Sequence, residues 1–232
     1  MSAAIPAYLA QTYRWAYLDR RTLPWLDRSW VVSAILWGNA GRLMRGAVEE
    51  FAAGERVLQA ACVYGDFSAR LLARVGEAGT LDLVDVAQLQ LDNARRKLHD
   101  RPNLHCRQAD LAAPGSVAAA AHDGVCCFFL LHEVPGSERC RIVEHLLSGV
   151  RPGGKIVFVD YHAPARWHPL RPVMHLIWRW FEPFAVSLFE RSIPARSALA
   201  GEFRWTTTTC FGGLYQKVVG RRVAAKPAAE VG

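Results

Sequence analysis

Residues 124–134 form a continuous apolar segment, GVCCFFLLHEV, that ends in the polar pair His132 and Glu133. An uninterrupted apolar run is typical of a strand that is buried on both faces of a parallel sheet. Helices must then cover both faces, because a crossover connects each parallel strand to the next. The segment therefore favours an α/β fold.

Other segments repeat this pattern of an apolar strand followed by polar residues. They are Val57–Leu58, Leu81–Val86, Asn103–Leu111 and Arg151–His162. The pattern predicts a doubly wound, mostly parallel sheet of the seven-stranded type, Rossmann-like, with four strand ends delivering polar groups to one edge. Residues 206–220 resemble a terminal β-hairpin with Gly212 and Gly213 at its turn.

The length of 232 residues and the hydrophobic content of 51% suffice for one full core. We expect an N-terminal aromatic helical lid over residues 1–55. An α/β domain should follow over residues 56–232, with a lipophilic insertion near 163–200. Six cysteines without C-x-x-C spacing indicate reduced core residues, and argue against a zinc site or a disulfide framework.

The turn after the first strand, QAACVYGDFS, occupies the position of a glycine-rich cofactor loop. The usual loop reads acidic-x-Gly-x-Gly-x-Gly. Here Gln59, Ala61 and Val63 replace the acidic residue and two glycines, and only Gly65 remains. Because the β-branched Val63 resists positive φ, the loop cannot simply copy the usual path. We interpret it as a rebuilt cofactor site.

Two acidic residues have positions that suit contacts to a nucleoside. Asp85 ends the second strand about 20 residues beyond the loop, a spacing at which an acidic residue reaches ribose hydroxyls. Asp110 follows the third strand and can accept a hydrogen bond from an adenine amino group. With Gln59, Ala61 and Gly65, these two are the predicted cofactor-binding residues.

Basic residues and tryptophans are concentrated in the two flanks of the chain. Residues 1–56 have a net charge of +2, residues 57–150 of −2 and residues 151–232 of +7. All eight tryptophans lie in the flanks. Arginine together with tryptophan is typical of a membrane interface, although ordinary lid packing explains tryptophan equally well.

Residues 167–190 are rich in apolar side chains, and Pro172 and Pro183 bound a helix of about three turns. Such a helix can lie on a membrane but cannot cross one. With no signal-peptide pattern and no run of 18 apolar residues, we expect a cytoplasmic protein, peripheral on the inner face of the membrane. Nucleic acid is a weaker interpretation, since no Lys/Arg-rich run or binding motif occurs, and no feature indicates an obligate protein partner.

Four motifs together resemble the rhodoquinone biosynthesis proteins, which are relatives of quinone methyltransferases. The motifs are the QAACVYGDFS loop, the strand ends LHEVP and FVDYH, and the FEPFA segment. The resemblance covers nearly the whole chain and implies a class I S-adenosylmethionine (SAM) methyltransferase-like fold. It also implies that the α-amino group of SAM replaces a methoxy group of ubiquinone, with Mn²⁺ required, to give rhodoquinone for anaerobic respiration.

That chemistry assigns roles to polar residues near the loop and the strand ends, because carboxylates and imidazole suit manganese and the donor amine must be unprotonated. The candidates are Tyr64, Asp66 and His132 for catalysis, and Glu133, Asp160 and His162 for the metal.

Structural alternatives exist for several of these candidates. Asp66 can serve only as a helix cap, and Tyr64 can be a packed tyrosine with a bonded hydroxyl. If the chain is still extended at His132 and Glu133, only one of them faces the site. Asp160 and His162, two positions apart, face the same way.

Two other functions are compatible with the same residues. A conventional SAM-dependent quinone or lipid methyltransferase is favoured if Asp85 and Asp110 hold the cofactor in the ordinary pose. A membrane-associated protein without catalytic activity is favoured if cofactor binding has been lost together with the glycines.

Overall fold

The computed structural model describes residues 5–99 and 101–224. Its helices are α1 (Ala7–Thr12), α2 (Arg14–Tyr17), α3 (Leu23–Leu26), α4 (Ser29–Ile35), α5 (Ala40–Val48), α6 (Phe67–Val75), α7 (Gln88–Leu98), α8 (Gly136–Ser148), α9 (Arg171–Phe181) and α10 (Ala185–Leu188). Its strands are β1 (Arg56–Ala60), β2 (Thr80–Asp85), β3 (Leu104–Gln108), β4 (His122–Phe128), β5 (Val150–Tyr161), β6 (Phe203–Cys210) and β7 (Tyr215–Arg222). Short 3₁₀ turns occur at Leu131–Glu133, Pro194–Arg196 and Ala198–Glu202.

The seven strands form one sheet in the order β3-β2-β1-β4-β5-β7-β6. Strands β1 to β5 are parallel, whereas β7 is antiparallel to both β5 and β6. The predicted fold class is confirmed, and so is the terminal hairpin. The strand order reverses beside β1, between β1 and β4, and ligands of doubly wound sheets bind outside the carboxyl ends of the strands at such a point.

Strand β4 shows why its sequence is apolar without alternation. Cys126 and Phe128 belong to the core on one side of the sheet, and Val125 and Cys127 to the core on the other side. Helix α8 covers the second side, where Ile142 and its apolar neighbours are buried. Both faces of β4 are therefore buried, as the continuous apolar run predicts.

The N-terminal helices pack over the loop that follows β1. Val32 and Met44 belong to the same core as Phe67 at the start of α6. A Cβ at Gly65 would contact the Val32 side chain at 3.5 Å, so the loop and the helices are in close contact. Residues 7–48 thus border the carboxyl edge of the sheet.

Arg139 fixes the turn that follows β4. This fully buried arginine of α8 donates hydrogen bonds to the carbonyls of Leu131 at 2.7 Å, Val134 at 2.7 Å and Phe184 at 2.8 Å. Burial lowers the pKa of Arg139 to about 10, which leaves the guanidinium charged at neutral pH. One side chain therefore joins the 131–133 turn to the chain entering α10.

The segment after β5 contains α9, whose 11 residues include Pro172 in the first turn and end two residues before Pro183. Helix α9 buries Met174 and Trp178 against the core and exposes most of its other side chains. Within the described residues, no helix is both long and apolar enough to cross a bilayer.

Candidate functional site

A narrow cleft, which we call the strand-end cleft, lies beyond β1, β2 and β4. Asp85 and Asp110 line it together with Ala61, Cys62 and Leu130. Tyr8, Leu9 and Tyr17 of the N-terminal helices line its other side, and the remaining cavity volume is about 60 Å³. The cleft therefore has the position expected for a nucleoside, but α1 and α2 fill much of it.

Asp85 connects the cleft to the loop. Its carboxylate accepts hydrogen bonds from the backbone N–H groups of Cys62 at 2.7 Å and Ala87 at 2.7 Å. The residue is 7% exposed, and burial raises its pKa. Asp110 accepts a hydrogen bond from the Ala112 N–H at 2.8 Å.

The rebuilt loop has its unusual backbone conformation at Ala61. Ala61 has φ +68° and Gly65 has φ +82°, whereas Val63 is not among the described residues with positive φ. Val63 thus avoids positive φ, as expected for a β-branched residue, and the left-handed conformation lies at Ala61 instead. A left-handed alanine costs about 1 kcal/mol, and the surrounding contacts must offset that strain.

Asp27 provides the clearest of these contacts. It lies between α3 and α4, and its carboxylate accepts hydrogen bonds from the Gly65 N–H at 2.9 Å, the Asn93 amide at 3.0 Å and the Lys97 ammonium at 2.7 Å. Lys97 also donates to the Gly65 carbonyl. The N-terminal helices are thereby anchored to the loop and to α7 by one carboxylate.

Tyr64 lies on the same side of the loop. Its ring stacks on Tyr17 with a centroid distance of 5.6 Å, and its hydroxyl donates to the Ala16 carbonyl. Gln90 donates to the same hydroxyl at 3.2 Å. Tyr64 thus joins the loop to α2 and also lines the larger cavity described next.

A larger, mostly apolar cavity of about 500 Å³ adjoins the strand-end cleft. Its walls come from the N-terminal helices, the loop, the end of β4 and α9, and include Val32, Trp37, Val63, Phe128, Met174, Ile177 and Phe181. We call it the apolar cavity. Tyr17, Cys62, Phe129 and Glu133 line both spaces, so the two meet at a shared wall.

Three polar residues project into the apolar cavity: His132, Glu133 and Glu182. Each offers one ligand atom, and these atoms lie within 4.8 Å of one another. The His132 Nε2 atom is 3.7 Å from a Glu133 oxygen and 3.8 Å from a Glu182 oxygen. We call these residues the buried triad.

Hydrogen bonds from neighbouring residues orient every member of the triad. His132 Nδ1 lies 2.8 Å from an Asp160 carboxylate oxygen. Tyr17 donates to Glu133, and Tyr13 donates to Glu182 at 2.9 Å. A carboxylate on the remote nitrogen of a histidine and donors on ligating carboxylates are the usual surroundings of a metal site.

The surroundings of the triad raise the pKa values of both His132 and Glu133. Burial favours a neutral imidazole, but Asp160 and Glu182 outweigh it and raise the pKa of His132 to about 9. Burial raises the pKa of Glu133 to about 8, and Glu182 adds to that increase. At neutral pH His132 is therefore an imidazolium and Glu133 is largely a neutral carboxylic acid, so a metal ion bound here would displace a proton from each.

Several predicted residues meet at this place, and others do not. His132 and Glu133 both line the apolar cavity, because residues 131–133 form a 3₁₀ turn and not an extended strand. Asp160 is 1% exposed and bonds to His132 and to the Leu131 and Tyr161 N–H groups, so it supports the triad from behind.

Four further predicted residues lie outside both spaces, and Gly65 of the loop is one of them. Asp66 precedes α6 and pairs with Arg70 at 2.7 Å on the surface. His162 is not a member of the triad, and its Nδ1 lies 2.8 Å from the Gly213 carbonyl oxygen. Gln59 is fully buried and donates to the Ala61 carbonyl at 2.9 Å, which supports the loop from beneath.

Sequence reasoning did not identify Glu182 as a site residue. Its signal was present, because Glu182 is a single acidic side chain at the end of a strongly apolar helix segment. Tyr13, Tyr17 and Asp27 were missed as well. They lie in short helices whose sequence has no motif, and only the fold brings them to the triad and the loop.

Comparisons with known proteins agree with this geometry. Residues 57–154 match the methyltransferase domain family. The fold is that of the SAM-dependent methyltransferases. The N-methyltransferase NodS from Bradyrhizobium japonicum WM9, in complex with S-adenosyl-L-homocysteine, superposes with a TM-score of 0.61 at 11% identity, over 94% of this chain and 99% of that one.

A curated relative is the demethylmenaquinone methyltransferase of Oceanobacillus iheyensis, which is 29% identical over 116 residues. The match covers 48% of this chain, and the chain spans about half the length of that relative, 47%. The [4+2]-cyclase SpnF has the same methyltransferase fold, with a TM-score of 0.51 at 16% identity over 79% of this chain and 82% of that one. The fold alone therefore leaves the reaction open.

Asp27→Ala tests the anchor between the N-terminal helices and the loop. We expect the free energy of unfolding to fall by about 1–3 kcal/mol, because Lys97 and the Gly65 N–H lose a buried acceptor. Hydrogen exchange at the Gly65 amide should accelerate. Asp19→Ala is the matched control, since the Asp19 carboxylate accepts a hydrogen bond from the exposed Arg21 N–H in a surface turn. Equal effects of the two substitutions would contradict the anchoring role.

Proposed function

We propose that this chain is a SAM-dependent transferase that acts on a quinone. The observation that supports this most directly is the shared wall between the strand-end cleft and the apolar cavity. A polar donor in the first space and a lipophilic acceptor in the second would meet at Glu133 and Tyr17. The buried triad lies beside that meeting point.

In this proposal the strand-end cleft holds SAM. Asp85, at the end of β2, is placed to accept hydrogen bonds from the ribose hydroxyls, and Asp110 from the adenine amine. Both carboxylates face the cleft. Because the open volume is only about 60 Å³, Tyr8 and Leu9 of α1 must move outward when the nucleoside enters.

The acceptor is proposed to be ubiquinone, with its ring in the apolar cavity. A volume of about 500 Å³ with aromatic and aliphatic walls suits a substituted quinone ring and the start of its tail. His132, Glu133 and Glu182 are the polar groups at the end of this cavity. They would lie next to the quinone oxygens.

We further propose that the buried triad binds Mn²⁺. Two carboxyl groups and one imidazole form a donor set that suits this ion once they lose their protons. Asp160 would hold the Nδ1 proton of His132, so that Nε2 would become the ligand when a bound ion displaces its proton. When bound, the ion would supply Lewis-acid polarisation of a quinone carbonyl.

The specific reaction that we propose is amino transfer. The α-amine of SAM attacks the ring carbon that bears a methoxy group, a C–N bond forms, and methanol leaves with a proton from the amine. The Cα–H electron pair then reduces the ring to a hydroquinone, and water hydrolyses the resulting imine to an aminohydroquinone and a 2-oxo acid. Reoxidation of the aminohydroquinone by a quinone acceptor gives rhodoquinone.

Two features support amino transfer. The loop that would hold the amino-acid end of SAM has a left-handed alanine and an internal carboxylate, Asp27, on the Gly65 N–H. The triad also offers carboxylates near the donor amine, and such groups can accept its proton. The resemblance to the rhodoquinone biosynthesis proteins points to the same reaction.

Conventional methyl transfer to a quinone is the second candidate. The matches to the methyltransferase domain family and to the demethylmenaquinone methyltransferase support it. It requires only that the sulfonium methyl group, and not the α-amine, face the apolar cavity. The two candidates share the acceptor and differ in the group that moves.

Isotope labelling distinguishes them. The protein is incubated with Mn²⁺, a short-tailed ubiquinone and SAM that has ¹⁵N in its α-amine and deuterium in its methyl group. We expect a product that has gained ¹⁵N and lost a methoxy group. A deuterated product would support methyl transfer and contradict amino transfer. His132→Ala should abolish turnover, whereas His175→Ala, an exposed residue of α9 outside the cavity walls, should leave it intact.

Thermal unfolding tests the metal site without any turnover. Excess Mn²⁺ should raise the Tm by several degrees, because an ion at about 100 times its Kd stabilises the folded state by about 2.7 kcal/mol. Glu182→Gln should remove most of this increase. The control Glu49→Gln, at an exposed position of the N-terminal half, should keep it. A full increase in the Glu182→Gln protein would contradict the assigned ligands.

A further inference from the structure

Large apolar side chains are exposed on the two segments that wall the apolar cavity, and we call this set the aromatic rim. Its members come from the N-terminal helices and from α9. They are Trp15, Trp25, Trp30, Ile35, Trp37, Leu176, Trp180 and Phe181. Trp30 is 57% exposed and Trp180 is 70% exposed, values that are costly for tryptophan in water.

The aromatic rim is continuous with the apolar cavity. Trp15, Ile35, Trp37 and Phe181 are exposed on the surface and also line the cavity. They therefore form its mouth. An apolar molecule can pass from the rim to the buried triad along apolar side chains.

Exposed arginines accompany the rim on the same two segments of the chain. Arg14, Arg20, Arg21 and Arg28 belong to the N-terminal segment, and Arg171 and Arg179 to α9. None of the six forms an ion pair among the described residues. The acidic Asp27 is already paired with Lys97 at 2.7 Å. The surface around the rim is thus cationic and complements a negatively charged partner.

Helix α9 has the geometry of a helix that lies flat on an interface. It buries Met174 and Trp178 towards the core, and exposes Leu176 and Trp180 together with Arg179. Its 11 residues span about 16 Å, roughly half the thickness of a bilayer core. Aromatic side chains with adjacent arginines are the composition found between headgroups and acyl chains.

We infer that the aromatic rim docks on the surface of an anionic lipid bilayer, with the mouth of the apolar cavity facing the acyl chains. This deepens the proposed function and rests on it in one respect: a quinone with a long apolar tail would enter the cavity directly from the bilayer. Binding to the bilayer itself requires only the rim and its arginines. A second copy of this chain is the competing occupant, and the experiment separates the two.

Vesicle flotation tests the docking. We expect the full chain to float with vesicles of phosphatidylcholine and phosphatidylglycerol, to float less with phosphatidylcholine alone, and to be released by salt. A Trp30→Ser/Trp180→Ser protein should bind the anionic vesicles at least about tenfold more weakly, a loss of about 1.4 kcal/mol. Neither tryptophan lines the cavity, so turnover of a short-tailed quinone in solution should be unchanged.

Matched controls lie at the opposite edge of the sheet. Val223 is 51% exposed and lies two residues beyond Arg221, which is opposite Lys155 in the register of β5 and β7, near the amino end of the parallel section of β5. The exposed Arg204 lies opposite Arg221 in the register of β6 and β7. Val223→Ser and Arg204→Gln remove the same kinds of groups and should leave vesicle binding intact. Thermal unfolding of each variant checks that it is folded.

Three results would overturn the inference. The first is no flotation of the parent chain, and the second is undiminished flotation of the Trp30→Ser/Trp180→Ser protein. The third is a parent dimer in sedimentation that this double variant converts to a monomer, which would make the rim an interface between copies. Flotation does not depend on turnover. A chain that floats as expected but forms no quinone product would contradict the proposed function and leave the docking in place.

Discussion

The hydrogen bond between His132 and Asp160 is the contact on which the site depends. Asp160 lies on β5, and its oxygens also accept hydrogen bonds from the backbone N–H groups of Leu131 and Tyr161. One carboxylate therefore orients the imidazole and holds the turn after β4 in position. Arg139 holds the same turn from the other side. Together they direct two consecutive side chains, His132 and Glu133, into one cavity, which an extended strand could not do.

The N-terminal helices cover the site and also contribute residues to it. They supply Tyr17 and Tyr13 to the carboxylates of the triad and Asp27 to the loop. Glu182 comes from the end of α9, on the other flank of the chain. The family match spans residues 57–154, so it contains the loop after β1, strands β2 to β4 and two members of the triad. Tyr13, Tyr17, Asp27 and Glu182 lie outside it.

The sheet could be predicted because each strand combines an apolar run with a polar end, and both signals are local in the sequence. Asp85, Asp110, His132 and Glu133 could be placed at one edge for the same reason. The loop was harder to predict. Val63 avoids positive φ, as its β-branched side chain predicts, but no local signal in the sequence assigns the left-handed conformation to Ala61. Asp27 and Glu182 reach the site only through tertiary contacts across 38 and about 50 residues of chain, which no local pattern encodes.

The central claim is that a donor in the strand-end cleft and an acceptor in the apolar cavity meet at a metal-binding triad. Anomalous diffraction at the manganese edge, from crystals grown with Mn²⁺ and S-adenosylhomocysteine, tests it most directly. The account predicts one anomalous peak within coordination distance of His132 Nε2 and of the carboxylates of Glu133 and Glu182. The amino-acid end of the nucleoside should lie beside Tyr17. A peak on other residues, or a nucleoside whose amino-acid end points away from the apolar cavity, would contradict it.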